Sequence, residues 1–139
     1  MQGWQQQKLV SRLDDVMTDK ELLKLAAKAA GYEVSESNQG INLDFEIFKE
    51  NENYVYCLNK KPWNPLTDDG DALRLAVKLL FEIEMTQDCI AVRHSTGVKI
   101  FEAFNHDQYT ATRRAIVRAA AEIGKRIKNE LFELFKRRL

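Results

Sequence analysis

The sequence is poor in the residues that metal sites and nucleophilic centres use. Its 139 residues include only two cysteines and two histidines, and its 21 basic residues balance 21 acidic ones. Two cysteines exclude a disulfide-rich scaffold, and four scattered Cys and His residues lack the short spacing of a zinc site. A net charge of zero argues against a general polyanion-binding protein. The chain also lacks the apolar run of roughly 20 residues that a membrane span requires.

Signatures of cofactor binding and catalysis are lacking as well. The chain has no glycine-rich phosphate loop, no dinucleotide-binding fingerprint and no nucleophile elbow. We therefore predict no catalytic residues, no metal and no cofactor. One reactive pairing stays open, a dyad of Cys57 or Cys89 with His94 or His106, although these residues lack a signature context. The N-terminal stretch has no apolar signal-peptide core, which predicts a cytoplasmic protein.

Two segments have a clear helical pattern. Residues 18–32 begin with a capping box formed by Thr18 and Glu21. They end near Gly31, which suits the left-handed position that follows a helix. Residues 110–137 form the longest predicted helix, about 42 Å at 1.5 Å per residue, and its last turns are expected to protrude. Its apolar stripe consists of Ile116, Ala119, Ile123, Ile127, Leu131 and Leu134.

Gly124 lies inside this last predicted helix. A glycine in a helix interior costs about 1 kcal/mol relative to alanine. It therefore marks either a bend or an end of the helix.

Alternating apolar and polar residues predict two hairpins. In residues 41–48, INLDFEIF, every second residue is apolar, and residues 54–58, YVYCL, follow a polar turn. Residues 89–94 and 98–104 form the second predicted pair. With a weak helix at the N-terminus, the element order is (α)αββαββα. This order predicts the α+β class, a layered sandwich of one antiparallel four-stranded sheet and three main helices.

The length predicts one domain. We assign residues 18–125 to a single α+β domain. An N-terminal extension at 1–17 carries the weak helix, and residues 126–139 are a basic extension of the last helix. Charge is also divided along the chain. Residues 110–139 hold nine basic and three acidic residues, a net charge of +6, which leaves −6 for the remainder.

Three aspartates precede a run of apolar residues with helical spacing in the stretch KPWNPLTDDGDALRLAVKLL. The aspartates are Asp68, Asp69 and Asp71, and the apolar residues are Leu73, Val77 and Leu80. Carboxylates at a helix start accept free backbone N–H groups and oppose the positive end of the helix dipole. A calcium loop would require a glutamate six residues after Gly70, where this chain has Ala76. The cluster therefore predicts helix capping.

One tryptophan and the basic residues of the last helix are the predicted interaction residues. Trp63, between Pro62 and Pro65, is either a loop anchor packed on the core or an exposed recognition residue. The basic residues avoid the apolar stripe. They form a solvated helix face, a phosphate-binding face or a docking face for an acidic partner. They are Arg113, Arg114, Arg118, Arg126, Lys136, Arg137 and Arg138.

Three blocks of the chain resemble a family. They are TDKELLKLAAKAAGY at 18–32, WNPLTDDGDALRLAVKL at 63–79 and YTATRRAIVRAAAEIGK at 109–125. In order and sequence they resemble a group of small, functionally uncharacterised proteins encoded by tailed bacteriophages and bacterial prophages. The resemblance implies a viral or prophage accessory protein in the cytoplasm of a bacterial host cell. It implies no reaction, because no catalytic residues carry over.

We therefore expect a non-enzymatic interaction protein. Its predicted partner is a host or phage protein, whose binding would modulate a host or defence process. A second copy of the last helix is another predicted partner, which would make the chain a homodimer. The alternative function is nucleic-acid binding through the basic face that Arg113, Arg114, Arg118 and Arg126 form. No membrane partner is expected.

Overall fold

The chain folds into three helices and six strands in the computed structural model, which describes residues 17–38, 40–50 and 53–138. Residues 45–50 and 53–60 are described by their backbone only. The predicted N-terminal extension lies outside the described residues except for Met17. In chain order the elements are α1 (Asp19–Ala30), β1 (Tyr32–Ser37), β2 (Gly40–Glu50), β3 (Asn53–Pro62), α2 (Asp69–Lys78), β4 (Glu82–Met85), β5 (Cys89–Arg93), β6 (Lys99–Ala103) and α3 (Gln108–Arg137).

The strands form two antiparallel sheets of three strands each, in the orders β1-β2-β3 and β4-β5-β6. The predicted α+β class and the three main helices are confirmed. Both hairpins are confirmed too, because β2 pairs with β3 and β5 pairs with β6. The prediction of a single four-stranded sheet is wrong, since one additional edge strand joins each hairpin to make two separate sheets.

Both additional strands have weak sequence signals. β1 has the polar sequence YEVSES and a register shift between Glu33 and Val34. β4 has only four residues, EIEM. Short or polar edge strands depend on backbone pairing with a neighbour more than on their own apolar pattern. The apolar pattern of each segment alone therefore does not predict β1 or β4.

α1 begins and ends as its sequence predicts. The Thr18 hydroxyl accepts the Glu21 N–H at 3.2 Å, and the Glu21 carboxylate accepts the Thr18 N–H at 3.0 Å. Gly31 has a left-handed backbone with φ of 74°, and its N–H donates to the carbonyl oxygens of Ala27 and Lys28. The capping box and the glycine stop are thus confirmed.

A pair of helices joins the two sheets. α1 packs on β1 and β2, whereas α3 packs on β5 and β6. The two helices also pack on each other, and α2 packs against α3. Fully buried side chains lie along this junction. They include Ala26, Leu75, Ile90, Val92 and Val117.

α3 is the longest described element, with 30 residues and a length of about 45 Å. Its N-cap is Asp107, whose carboxylate accepts the Thr110 hydroxyl at 2.5 Å and the Tyr109 N–H at 3.0 Å. These hydrogen bonds, that of Thr110 foremost, lower the pKa of Asp107 below its ordinary value. All buried residues of α3 lie between Ala111 and Gly124. The second half therefore extends beyond the core, as its length predicts.

Gly124 lies at a close approach between α1 and α3. A Cβ built on Gly124 would overlap the backbone carbonyl of Leu25 in α1. One of the two predicted alternatives was that the helix ends at Gly124. That alternative is wrong, because α3 continues to Arg137. The absence of a side chain instead lets the two helix backbones come into contact.

Gly124→Ala is expected to destabilise the protein even though alanine favours a helix. Alanine would contribute about 1 kcal/mol of helix propensity. Its methyl group would meet helix backbone, and overpacking of this kind costs about 1–3 kcal/mol or more. Because the overlap is with backbone and not with a flexible side chain, we expect the upper end of this cost and a net loss of roughly 2 kcal/mol in the free energy of unfolding, measured by urea denaturation.

Gly70→Ala is the matched control, because Gly70 lies in the first turn of α2. Its added Cβ would meet only the ends of the Arg74 and Asp68 side chains, at 3.1 and 3.2 Å. This variant should change the free energy of unfolding by less than about 0.5 kcal/mol. A Gly124→Ala protein as stable as Gly70→Ala would contradict the close contact between α1 and α3.

Candidate functional site: the exposed end of the last helix

The aspartates at the start of α2 serve its structure. The Asp68 carboxylate accepts the Asp71 N–H at 2.8 Å, which makes Asp68 the N-cap of α2 and confirms the predicted capping. Asp69 forms an ion pair with Arg113 of α3 at 2.5 Å. The start of α2 is thus fixed both to its own backbone and to α3.

Asp71 is the one aspartate of this cluster that is buried, with 8% of its surface exposed. It accepts the Asn64 N–H at 3.0 Å and the Arg74 guanidinium at 2.8 Å. The hydrogen bond from Arg74 to Asp71 raises the pKa of that guanidinium. Within the described ranges, no three His, Cys, Asp or Glu side chains come together to hold a metal ion. Asp71 therefore connects the loop at Asn64 to the first turns of α2.

Trp63 lies in the core. Its surface is 3% exposed, and its ring meets the Tyr32 ring edge to face, with 5.7 Å between centroids. Its backbone N–H donates to the Ile41 carbonyl at 3.0 Å. Of the two alternatives for Trp63, the geometry favours the loop anchor.

Two of the predicted basic interaction residues are engaged inside the protein. Arg113 donates to the Leu66 carbonyl at 2.8 Å besides pairing with Asp69, and its side chain is 15% exposed. Arg118 pairs with Glu102 of β6 at 2.5 Å, with side chains 14% and 20% exposed. These arginines tie α3 to the loop before α2 and to the second sheet.

The other basic residues are more accessible. Arg114 lies 3.5 Å from Asp19, and Arg126 donates to the Thr96 carbonyl at 3.0 Å. Their side chains are 34% and 47% exposed. Lys136, Arg137 and Arg138 are exposed at the end of α3. The predicted basic face is therefore divided between internal ion pairs and a short basic end.

Cys89 and His94 do not form the dyad that the sequence left open. Cys89 begins β5 and His94 follows its last residue, so about 16 Å of strand separates them. His94 lies 2.7 Å from the Thr96 hydroxyl through Nδ1, and its ring meets the edge of Phe81. The side chain of Cys57 lies outside the description. The local contacts of His94 are those of a turn residue.

Large apolar side chains lie exposed on the last turns of α3. Leu131, Phe132, Leu134 and Phe135 are 55%, 58%, 57% and 66% exposed. We call these four residues the apolar end. Ile127, partly buried against the core, continues the same face towards the protein body. The apolar stripe predicted for this helix is therefore core in its first half and surface in its second.

The two phenylalanines were not part of the predicted stripe. At 100° per residue they widen the apolar face to roughly 160° of the helix circumference between Leu134 and Phe132. The signal in the sequence was the segment NELFELF, in which four of seven residues are large and apolar. A face this wide beyond the core is characteristic of an interaction surface.

α2 presents a second, narrower apolar surface. Leu73, Val77 and Leu80 are 62%, 64% and 84% exposed, and Leu80 has a left-handed backbone with φ of 56°. These residues are the ones whose spacing predicts the helix. The face that packs on the core carries Ala72, Leu75 and Ala76 instead. Since α2 has apolar residues on both faces, the spacing alone does not select the buried one.

Comparisons of the chain with protein-family models, with curated proteins and with solved structures give no match. The phage-family resemblance accordingly stays a prediction. In the part of the chain that the structure describes, no helix has the length and apolarity to cross a membrane.

Asp71→Ala is expected to lower the free energy of unfolding by about 2 kcal/mol, because a partly buried Asn64 N–H loses its acceptor. Asp71→Asn keeps an acceptor oxygen of the same shape and should recover most of that loss. The measurement is thermal unfolding of the wild type and both variants, with and without millimolar calcium. Stabilisation of the wild-type protein by calcium, absent in Asp71→Asn, would show a metal site and contradict the structural role.

Proposed function

We propose that this chain is a non-enzymatic interaction protein that binds a partner protein through the apolar end of α3. The observation that supports it is the exposure of four large apolar side chains on a helix that extends beyond the core. Apolar patches on exposed helices are a common mode of protein recognition, in which the helix lies in an apolar groove or against another helix.

The apolar end supplies part of the free energy that binding a partner requires. Complete burial of a leucine or phenylalanine side chain contributes about 1.5–3 kcal/mol, and each of these four is slightly more than half exposed. Covering all four would contribute roughly 4–6 kcal/mol before the costs of association. Micromolar affinity requires about 8 kcal/mol after those costs, so a partner must add contacts beyond these four side chains.

The predicted phage or prophage origin of this chain indicates what kind of protein its partner is. The three blocks that resemble phage and prophage proteins lie within residues 18–125, whereas the apolar end lies in the extension at 126–139. The fold would thus be the shared part and the apolar end the part special to this chain. On this proposal the partner is a protein of the bacterial host or the phage, a second copy of this chain included, met in the cytoplasm.

Nucleic-acid binding is the second function that the basic helix would allow. Arg113 and Arg118 are fixed by Asp69 and Glu102, so a phosphate would have to displace these carboxylates. Arg114 and Arg126 are more accessible, as are the three basic residues at the end of α3. We rank this function second because Arg113 and Arg118, half of its predicted arginines, are largely buried in their ion pairs with Asp69 and Glu102.

A double variant, Leu131→Glu with Phe135→Glu, should lose partner binding and keep its fold. Both side chains are exposed, so charge costs little in the free protein but would be buried unpaired in a complex. The measurement is capture from bacterial lysate with a tagged chain, and circular dichroism checks folding.

Leu73→Glu with Val77→Glu is the matched control, since it makes the same chemical change on the exposed face of α2. This control should capture as much partner as the wild type. Equal capture by all three proteins would reject the apolar end as the binding surface. If only the control loses capture, the binding surface is the exposed face of α2. Salt-sensitive capture of DNA or RNA would favour nucleic-acid binding by the basic residues of α3.

A further inference from the structure

We infer that the apolar end pairs with the apolar end of a second copy, in an antiparallel arrangement centred between Phe132 and Glu133. This inference rests on the proposed function, since it requires the apolar end to be a protein-binding surface. It adds the identity of the occupant and the orientation of the two helices.

The apolar spacing suits a helix pair. Ile127, Leu131 and Leu134 are separated by four and then three residues, which is the spacing of the d, a and d positions of a heptad. In an antiparallel pair with the stated centre, Leu131 of one copy packs against Leu134 of the other. The two-fold symmetry makes this contact twice.

Charges beside the seam select the antiparallel direction. Glu130 and Arg137 both occupy g positions, one heptad apart, and g faces g in an antiparallel pair. Glu130 of each copy then meets Arg137 of the other, which gives two ion pairs. In a parallel pair g faces e, so Glu130 would instead face Phe135 and the ion pairs would be lost.

The opposite flank is complementary too. Lys128 and Phe135 occupy e positions, and e faces e in an antiparallel pair. The ammonium group of each Lys128 would approach the Phe135 ring of the second copy. This chain already makes such contacts, because the Lys136 ammonium lies 4.8 Å from the centre of the Phe132 ring and Lys99 lies 5.5 Å from that of Phe101.

The apolar end lies far enough along α3 to leave the buried parts of the two helices outside the overlap. The last buried residue of α3 is Gly124, and its counterpart in the second copy would lie beyond Arg138. The two Gly124 residues would be about 25 Å apart along the common axis. The two helices overlap over about three turns. An overlap of this length buries less surface than the roughly 800 Å² per partner of a standard interface. The dimer is therefore weak and concentration dependent.

Net charge makes the arrangement testable. Residues 126–138 carry five basic and two acidic residues, so copies of this segment repel each other in general. Arg137→Glu lowers that positive charge from +3 to +1, and general repulsion alone would then strengthen self-association. The antiparallel pairing predicts the opposite, because Glu130 of each copy would face the new carboxylate of the other.

The experiment is sedimentation equilibrium of the full chain across the micromolar range. We expect the wild type to dimerise and Arg137→Glu to weaken the dimer about tenfold, since two exposed ion pairs become two repulsive pairs. The double variant Glu130→Arg with Arg137→Glu restores complementary pairs and should dimerise like the wild type. Leu131→Glu with Phe135→Glu should be monomeric, and Leu73→Glu with Val77→Glu should dimerise.

Several results would overturn the inference. The first is a wild type that stays monomeric. The second is an Arg137→Glu variant that dimerises more tightly than the wild type. The third is a Glu130→Arg, Arg137→Glu double variant that dimerises no better than Arg137→Glu alone. Leu9 and Leu13 are apolar residues of the predicted N-terminal helix. If Leu9→Glu with Leu13→Glu turns a monomeric chain into a dimer, the N-terminal segment and not a second copy covers the apolar end. A monomer whose lysate capture still depends on Leu131 and Phe135 would refute the dimer and leave the proposed function standing.

Discussion

The contact between the backbones of α1 and α3 at Gly124 and Leu25 is the constraint on which the arrangement depends. α1 lies on the first sheet and α3 on the second, so the distance between these helices sets how the two sheets share one core. Ion pairs strengthen the same arrangement from its edges, with Arg113 reaching Asp69 and Arg118 reaching Glu102. A side chain at position 124 would push α1 and α3 apart at this contact.

This contact also divides α3 into two halves with different roles. Up to Gly124 the helix is covered by α1, α2 and the second sheet, and Arg113 and Arg118 are held by internal partners. Beyond Ile127 the same amphipathic pattern continues without a covering element in the described residues, and it widens to include two phenylalanines. One continuous helix thus supplies both the core and the surface that we propose to bind a partner.

Local signals predicted much of the fold, and long-range pairing explains what they missed. Thr18, Glu21 and Gly31 predict the limits of α1 because caps act within one turn. β1 and β4 depend on neighbouring strands, and the buried face of α2 depends on which of its two apolar faces meets α3. The burial of Arg113 and Arg118 depends on carboxylates 44 and 16 residues away in the chain, which no local pattern connects. The apolar end was visible in NELFELF, but only the limit of the core showed that it is exposed.

Hydrogen–deuterium exchange along α3, at low and at high protein concentration, tests the division of this helix most directly. Amides of residues 112–124 should be strongly protected at both concentrations, because they open only when the core opens. Amides of residues 129–138 should exchange quickly in dilute protein and become protected as the concentration rises. Protection that is uniform along α3 in dilute protein would contradict this division, and a second half whose exchange ignores concentration would contradict the pairing of two copies.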